Sequence, residues 1–332
     1  MILAQRKAIF NGVKLTKLND SNPTSHGLAP QCLSGCYTAD PRGPKEIRDI
    51  LSNFINKRDN RTEKSVPPKL NPDQLYVLSS TSQAYAWLMM LLCDAGDAVM
   101  GPTPGYPLIE SIARLQCVNA IPYPLHYDGS WTIDIARVRE LLEDASLRIK
   151  ALVLINPNNP TGSYVKPEER EILLQLCRDN GVAIIADEVF YEYSLESFAG
   201  NARFAGESST LVFALDGFSK MLAAPHAKVG WIEVSGPKDD VYEAQKRLDV
   251  IADDFLPIGN TVSERIPELL QYASSQSAIV RNRVINNLHT LRETLVSTPK
   301  CCVSALRAEG GWNILLRVPS VSYTHLRAHE TD

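Results

Sequence analysis

Three short segments of the chain carry side chains that could do chemistry together. They are Asn156–Gly162, Ala186–Phe190 and Gly217–Lys220, and they supply an amide, a carboxylate and a lysine. Each follows a run of β-branched and aliphatic residues, which is typical of a buried parallel strand. Ligands bind at the carboxyl edge of open α/β sheets, so we expect these side chains to meet there. Such a set suits a lysine Schiff base with an aromatic aldehyde cofactor.

The elements that position these segments alternate between strand and helix patterns from Gln74 onward. The patterns predict strands at 75–79, 98–101, 120–125, 151–155, 182–186 and 211–215, with helices at 44–57, 83–93, 108–115, 136–143 and 168–178. Asn180-Gly181 after the last of these helices is typical of a left-handed cap. The repetition predicts an α/β fold, with a large domain whose mostly parallel, seven-stranded-type sheet is covered by helices.

The pattern becomes helical after Asp239. Helices are predicted at 241–250, 262–273 and 278–296, followed by paired strands at 303–307 and 313–318. We therefore expect an N-terminal arm with part of a small domain at 1–36, a large cofactor-binding domain at 37–276, and an incomplete small α+β domain at 277–320. Residues 321–332 resemble a translated library adapter, so we interpret them as an artefactual tail that replaces a C-terminal segment; a disordered natural tail is the alternative.

Composition limits the classes of function. The chain has 332 residues and a net charge of -4, which gives no reason to expect nucleic acid or an acidic membrane as partner. The longest apolar run, Ala86–Cys93, is too short to span a bilayer, and no signal peptide is evident, so we expect a cytoplasmic protein. Zinc held by Cys32, Cys36 and Cys301-Cys302 is disfavoured because adjacent cysteines are poor tetrahedral ligands, and we expect no metal.

The motifs are more specific as an ordered set than singly. They are Asn-Pro-Thr-Gly at 159–162, Asp-Glu-Val at 187–189, Ser219-Lys220 and a basic residue shortly before Gly230-Trp231. With this set the chain resembles the fold-type I, pyridoxal-phosphate-dependent aminotransferases of class I/II, from about residue 20 to 319. The resemblance implies amino-group transfer between an α-amino acid and a 2-oxo acid in amino acid metabolism or biosynthesis. It also implies pyridoxal 5'-phosphate as cofactor and a homodimer.

The resemblance assigns roles around the cofactor ring. Lys220 would form the Schiff base and then carry a proton, although alone it could be a surface lysine at a helix start. Asp187 would bond the protonated pyridine nitrogen rather than cap the next segment. Asn159 would donate to the phenolic oxygen, or be a turn asparagine. Tyr106 would stack on the ring, or be a core tyrosine.

Further residues would bind the phosphate. The four residues at the start of the predicted helix after the first strand face its positive end, and a plain helix cap is compatible with that role. Ser219 and Lys228 would add a hydroxyl and a cation, and Tyr37 would reach into the phosphate site of the neighbouring subunit. The four residues at the helix start are Ser80, Thr81, Ser82 and Gln83.

Three positions depart from the family pattern. Phe190 stands where many members have a tyrosine that bonds the phenolic oxygen, so that donor is lost unless Tyr191 replaces it. Gly217 stands where a serine often contacts phosphate. Lys228 replaces an arginine and cannot give the same bidentate grip. We interpret these as marks of a divergent branch that keeps the chemistry.

Other functions stay open. A β-eliminating lyase or related synthase would share these motifs. A non-catalytic, cofactor-binding regulator would need a DNA-binding helix-turn-helix, for which the first thirty-odd residues are too short and too weakly basic. A dehydrogenase is disfavoured, since no Gly-x-Gly-x-x-Gly follows the early strands. The family's substrate-carboxylate arginine matches neither Arg317 nor Arg327, so we expect this chain to be weakly active or inactive, with its amino acid and 2-oxo acid unidentified.

Overall fold

The computed structural model describes residues 7–13, 21–33, 35–196, 202–298 and 302–319. The predicted tail at 321–332, Arg327 and Cys301 lie outside the described residues. The chain divides into two compact units, Met1–Thr38 and Ala39–Asp332. In the first unit, Pro23–His26 forms a 3-10 turn capped by the side chain of Asn22. The predicted domain boundaries at 36, 276 and 320 stay predictions.

The larger unit is built on a sheet of eight strands among its described residues. Its order is β1-β8-β7-β6-β5-β2-β3-β4. The neighbours from β7 to β3 are parallel, whereas β8 and β4 run antiparallel to their neighbours. The prediction of a mostly parallel sheet is confirmed. The strands are β1 Leu75–Leu78, β2 Ala98–Thr103, β3 Asn119–Tyr127, β4 Trp131–Ile133, β5 Ile149–Ile155, β6 Ala183–Asp187, β7 Val212–Gly217 and β8 Gly230–Ser235.

Helices cover both faces of this sheet. Successive strand residues alternate between two buried clusters, as Leu152 and Val153 do, so burial on both faces explains the unbroken apolar runs. Short 3-10 turns lie at Pro72–Gln74, Ala145–Leu147 and Pro225–Ala227. The helices are α1 Lys45–Arg58, α2 Thr81–Leu92, α3 Leu108–Leu115, α4 Ile135–Glu143, α5 Pro167–Asp179, α6 Phe218–Met221, α7 Lys238–Phe255, α8 Asn260–Ser263, α9 Ile266–Leu270 and α10 Ala273–Ser297.

The structure differs from the predicted elements in a few places. Strand β8 was not predicted because Glu233 interrupts its apolar pattern; this carboxylate is buried because Arg61 donates to it at 2.6 Å. The helix predicted at 262–273 is broken into α8 and α9, where Pro267 cannot continue an N–H ladder. Gly181 has a φ of 64°, as the predicted left-handed cap requires.

The predicted terminal strand pair is present but short. Strand β9 spans Ser304–Ala305 and pairs antiparallel with β10, Leu316–Arg317. The residues between them return to the edge of the large sheet, where they become part of the site described below.

Candidate active site

The three segments that carry the predicted chemistry meet at one edge of the sheet. Strands β5, β6 and β7 are parallel neighbours, so their carboxyl ends lie together. Asp187 pairs with Ile155 on one side and with Leu215 on the other. The backbone N–H of Asn156 donates to the Asp187 carbonyl at 2.8 Å, which joins the first two segments directly. The segments after β1 and β2 emerge at this same edge.

The Asp187 carboxylate is buried beside neutral donors. Its Oδ2 accepts from the Tyr85 hydroxyl at 3.0 Å, and its Oδ1 accepts from the Val189 N–H at 3.3 Å. Burial raises the pKa of Asp187 to about 6, although these two hydrogen bonds and the charge of Lys220 act in the opposite direction. Among the described residues, no lysine or arginine nitrogen lies within ion-pair distance. The carboxylate can therefore take a further, positively charged donor.

The Lys220 amine lies between two aromatic rings. Its Nζ is 5.2 Å from the ring centre of Phe190 and 5.1 Å from that of Trp312. The Lys220 carbonyl accepts from the Tyr193 hydroxyl at 2.6 Å, which anchors the backbone of α6. No described residue hydrogen-bonds or ion-pairs with Nζ. Aromatic faces attract an ammonium group without accepting a conventional hydrogen bond from it, so no described polar group has to be displaced before a ligand reaches Nζ.

Residues 308–313, which sequence reasoning did not identify, bring the second of these two rings to Lys220. Within 308–313, the N–H groups of Glu309 and Gly310 donate to the Gly162 carbonyl at 3.0 and 2.8 Å. Gly162 has a φ of 71°, and a Cβ there would lie 2.6 Å from the Gly310 oxygen, so this motif glycine permits the close approach. The contact brings Trp312 to Lys220. The sequence signal for this segment is the run Gly310-Gly311-Trp312.

Asn159 and Tyr106 lie on the neighbouring loops. Asn159 Oδ1 accepts from Asn313 Nδ2 at 2.6 Å, so its amide is oriented by a side chain rather than by its own turn. Tyr106 is 39% exposed, and its phenol is among the groups that raise the pKa of Tyr85, after burial and Asp187. Asn158 joins the two loops by donating to the Pro104 carbonyl at 3.0 Å.

The predicted phosphate residues lie on either side of Gly230. This residue pairs with Leu78 in β1 and with Gly217 in β7, and a Cβ on it would lie 3.2 Å from the Thr81 nitrogen. Ser80 is the cap of α2, since its Oγ accepts from the Gln83 N–H at 3.2 Å. Four of the predicted phosphate residues have side chains without a hydrogen-bond partner among the described residues, namely Thr81, Ser82, Ser219 and Lys228.

The structure bears on two of the three family departures. A Cβ at Gly217 would lie 2.8 Å from the Val229 oxygen, so a serine there would require β7 and β8 to move apart. Tyr191 does not replace the phenol that Phe190 lacks. Its ring packs 4.0 Å from the guanidinium carbon of Arg203, and Phe190 is the ring that faces Lys220.

A buried charge network supports strand β6, which ends at Asp187, and strand β7, which leads into the helix that carries Lys220. Arg203 donates to Glu192 at 2.6 Å and to Glu188 at 3.3 Å, and Arg58 donates to Asp216 at 2.8 Å. Burial raises the pKa of Glu188 to about 7, against the effect of Arg203. Glu188 directly follows Asp187 in the chain, and Asp216 precedes Lys220 by four residues. Sequence reasoning did not find this network, because its members are far apart in the chain.

Tyr37 belongs to the other compact unit. Its side chain is 39% exposed, and its N–H donates to the Thr24 hydroxyl at 2.8 Å. Its expected role in a neighbouring subunit stays a prediction.

Comparison with known proteins gives consistent relatives. A family model described as "Aminotransferase class I and II" matches residues 37–331. A mitochondrial alanine aminotransferase 2 of Arabidopsis thaliana is 29% identical over 227 residues, which are 64% of this chain and 41% of that protein. The glutamate-pyruvate aminotransferase AlaA of Haemophilus influenzae is 29% identical over 253 residues, 73% of this chain and 60% of that protein. The chain thus spans about half the length of these curated relatives.

Solved structures show the same fold. The alanine aminotransferase of Pyrococcus furiosus superposes with a TM-score of 0.74 at 20% identity, covering 96% of this chain and 80% of that one. A protein of Clostridium difficile 630, solved with pyridoxal phosphate bound, gives a TM-score of 0.66 at 18% identity, covering 86% of this chain and 70% of that one.

Proposed function

The chain belongs to the aminotransferase class I and II family, and on this basis we propose that it is a pyridoxal-phosphate-dependent aminotransferase acting in amino acid metabolism. It would move an amino group between an α-amino acid and a 2-oxo acid. The observation that carries the proposal is the Lys220 amine, which is free of polar partners among the described residues. Lys220 lies at the same sheet edge as the buried Asp187 carboxylate, and the charge of Lys220 lowers the pKa of Asp187.

The residues at this edge fit pyridoxal 5'-phosphate. Asp187 would accept from the protonated ring nitrogen, and its burial without a cationic partner supports that role. Asn159 would hold the phenolic oxygen and Tyr106 the ring face. The helix start at 80–83, with Ser219 and Lys228, would hold the phosphate. When bound, this cofactor supplies an aldehyde for the amine groups and a ring that withdraws electrons from the substrate's α-carbon.

The protein's own residues would move one proton and exclude competing chemistry. Lys220 Nζ would take the proton from the substrate's α-carbon and deliver it to the cofactor's exocyclic carbon, two bonds away. The rings of Phe190 and Trp312 would keep water away from that amine. The net exchange balances without an external oxidant, since one substrate becomes a 2-oxo acid while the other becomes an amino acid.

Alanine is the amino donor that we propose to test first, because several relatives are named alanine aminotransferases. The lyase alternative also has support. An S-alkyl-thiohydroximate lyase of Arabidopsis thaliana is 24% identical over 82% of this chain. One experiment separates the two, since a lyase needs no 2-oxo acid to turn over.

The test uses the chain loaded with pyridoxal phosphate. Alanine should bleach the yellow absorbance, 2-oxoglutarate should restore it, and pyruvate and glutamate should appear in equal amounts. Release of ammonia and pyruvate from an S-substituted cysteine without any 2-oxo acid would favour the lyase instead. Because we expect this chain to be weakly active, the test uses high amino acid concentrations and long incubation. No spectral change under these conditions, in a folded protein that binds the cofactor, would contradict both functions.

Replacing Asp187 with asparagine should have opposite effects on activity and stability. Activity should fall at least about a hundredfold, because the neutral amide no longer favours a protonated ring nitrogen. The pKa of Asp187 is about 6 in the folded protein, against an ordinary value of 3.8. Protonation of Asp187 therefore favours the folded state. This contribution to the free energy of unfolding is fully present below pH 4 and is lost as pH rises through 6. The D187N variant avoids that loss, so the cofactor-free protein should gain about 2–3 kcal/mol at pH 8.

Urea unfolding at pH 4 and pH 8 checks this expectation. The exposed Asp128→Asn variant is the matched control and should change neither quantity. A D187N protein that is less stable than the parent at pH 8 would show that burial of this carboxylate carries no such cost.

We also propose a homodimer in which Tyr37 reaches the neighbouring phosphate site. The support is the family resemblance and the Tyr37 hydroxyl, which has no hydrogen-bond partner among the described residues. The mass of the protein in solution tests the dimer.

A cytoplasmic location stays a prediction, and some plant relatives are named as mitochondrial. Within the described ranges, no helix combines the length and apolar character needed to cross a membrane.

A further inference from the structure

We propose that Tyr85 is a positioning residue that holds the Asp187 carboxylate in its ionised form and fixes its orientation. Its functional consequence rests on the proposed function. The Tyr85 hydroxyl donates to Asp187 Oδ2 at 3.0 Å. Tyr85 is 1% exposed and Asp187 is 5% exposed, so water does not compete for this bond. The contact joins helix α2 to the end of strand β6, two elements 102 residues apart in sequence.

The position of Tyr85 is set by packing. It lies in the second turn of α2 and belongs to the buried cluster that includes Val153 and Ile185 of the central strands. The cap of this helix is Ser80, whose Oγ binds the Gln83 N–H, so the helix start is fixed as well. The phenol therefore cannot turn away without opening the core. A donor held this rigidly selects one rotamer of the carboxylate that it contacts.

The two donors to Asp187 divide its oxygens between them. The Val189 N–H binds Oδ1 and the Tyr85 hydroxyl binds Oδ2. Each carboxylate oxygen can accept a second hydrogen bond, so both keep capacity for a ligand. With both contacts in place, the plane of the carboxylate is determined before any ligand arrives. This is the preorganisation that a catalytic site requires.

The electrostatics favour the same role. The charged or titratable groups that act on Asp187 are Tyr85 from α2, Asp216 from β7 and Lys220 from α6, with Tyr106 beyond Tyr85. Burial and Asp216 favour the protonated carboxyl, whereas Tyr85 and Lys220 favour the carboxylate. Loss of the Tyr85 donor therefore shifts the balance toward the neutral acid. In the loaded enzyme, a more basic Asp187 would draw the proton from the ring nitrogen and weaken its electron demand.

The test is a Tyr85→Phe variant studied without cofactor. Carbon-13 NMR of carboxyl-labelled aspartate gives the titration of Asp187, whose resonance is assigned by its absence in D187N. We expect Asp187 to titrate about one pH unit higher in Y85F, because a hydrogen bond to a charged group is lost. The control is Tyr123→Phe. Tyr123 is also 1% exposed, but its hydroxyl donates to the Val153 carbonyl at 2.9 Å and not to Asp187.

An unchanged Asp187 titration in folded Y85F, or an equal rise in Y123F, would overturn the proposal. Should Y85F fail to fold, Tyr85→Met gives a second variant that cannot donate and adapts to the cavity. In the loaded enzyme, the acidic limb of the pH profile for the half-reaction with alanine should shift to higher pH in Y85F, whereas it should stay at the parental pH in Y123F. Because the titration needs no cofactor, it remains informative even if the chain proves not to be an aminotransferase.

Discussion

Replacing Lys220 with alanine should lower the rate of the alanine half-reaction at least about a thousandfold. The reason is that the variant loses both the amine that joins the cofactor and the base that moves the α-proton. No other described lysine can substitute, because Lys220 alone among them has its Nζ between Phe190 and Trp312. The measurement is the rate at which alanine bleaches the cofactor absorbance in a stopped-flow experiment.

The control for this prediction is Lys246→Ala. Lys246 lies on α7, its side chain is 64% exposed, and its one ion pair within the described part of the chain is with Glu243. This variant should react at the parental rate. A K220A protein that keeps more than a tenth of the parental rate would remove Lys220 from the chemistry.

Replacing Arg203 with methionine should lower the free energy of unfolding by about 3–5 kcal/mol. Arg203 contacts Glu188 and Glu192, and its guanidinium packs on the Tyr191 ring. Without it, Glu188 is left buried without its cation. Because burial already raises the pKa of Glu188 to about 7, the loss should be larger at pH 8 than at pH 5, where this carboxyl is protonated in the folded protein.

Urea unfolding of the cofactor-free protein at both pH values tests this expectation. Arg137→Met is the matched control, since the side chain of Arg137 is 50% exposed and its partner Glu140 is also on the surface. It should cost less than about 0.5 kcal/mol. An R203M protein as stable as this control would show that the buried network adds nothing to the stability of strands β6 and β7.

Much of this site could be predicted from sequence because its main residues follow buried strands. Runs such as Val182–Ala186 are apolar on both faces, so the strand and its end are both readable, and Asp187 is placed by its distance from the run. The same reasoning places Lys220 after β7. The order of the motifs then supplied the family, and with it the mostly parallel sheet that the structure confirms.

The remaining features depend on contacts that no local pattern records. Tyr85 has the sequence context of an ordinary core residue in an apolar helix, and its bond to Asp187 spans 102 positions. Trp312 reaches Lys220 only because Gly162 and Gly310 allow two backbones to touch. Strand β8 was not predicted because the charged residue Glu233 interrupts its apolar pattern. The local sequence does not show that Arg61 pairs with this residue. In each case the tertiary partner overrides the local signal.

The lysine to which pyridoxal phosphate attaches decides whether Lys220 is the reactive amine. Reduction of the loaded chain with borohydride, followed by peptide mass spectrometry, should place one pyridoxyl group on Lys220 and leave Lys228 and the other lysines unmodified. A folded protein that binds the cofactor but carries the group on another lysine, or on none, would contradict the assignment of this site.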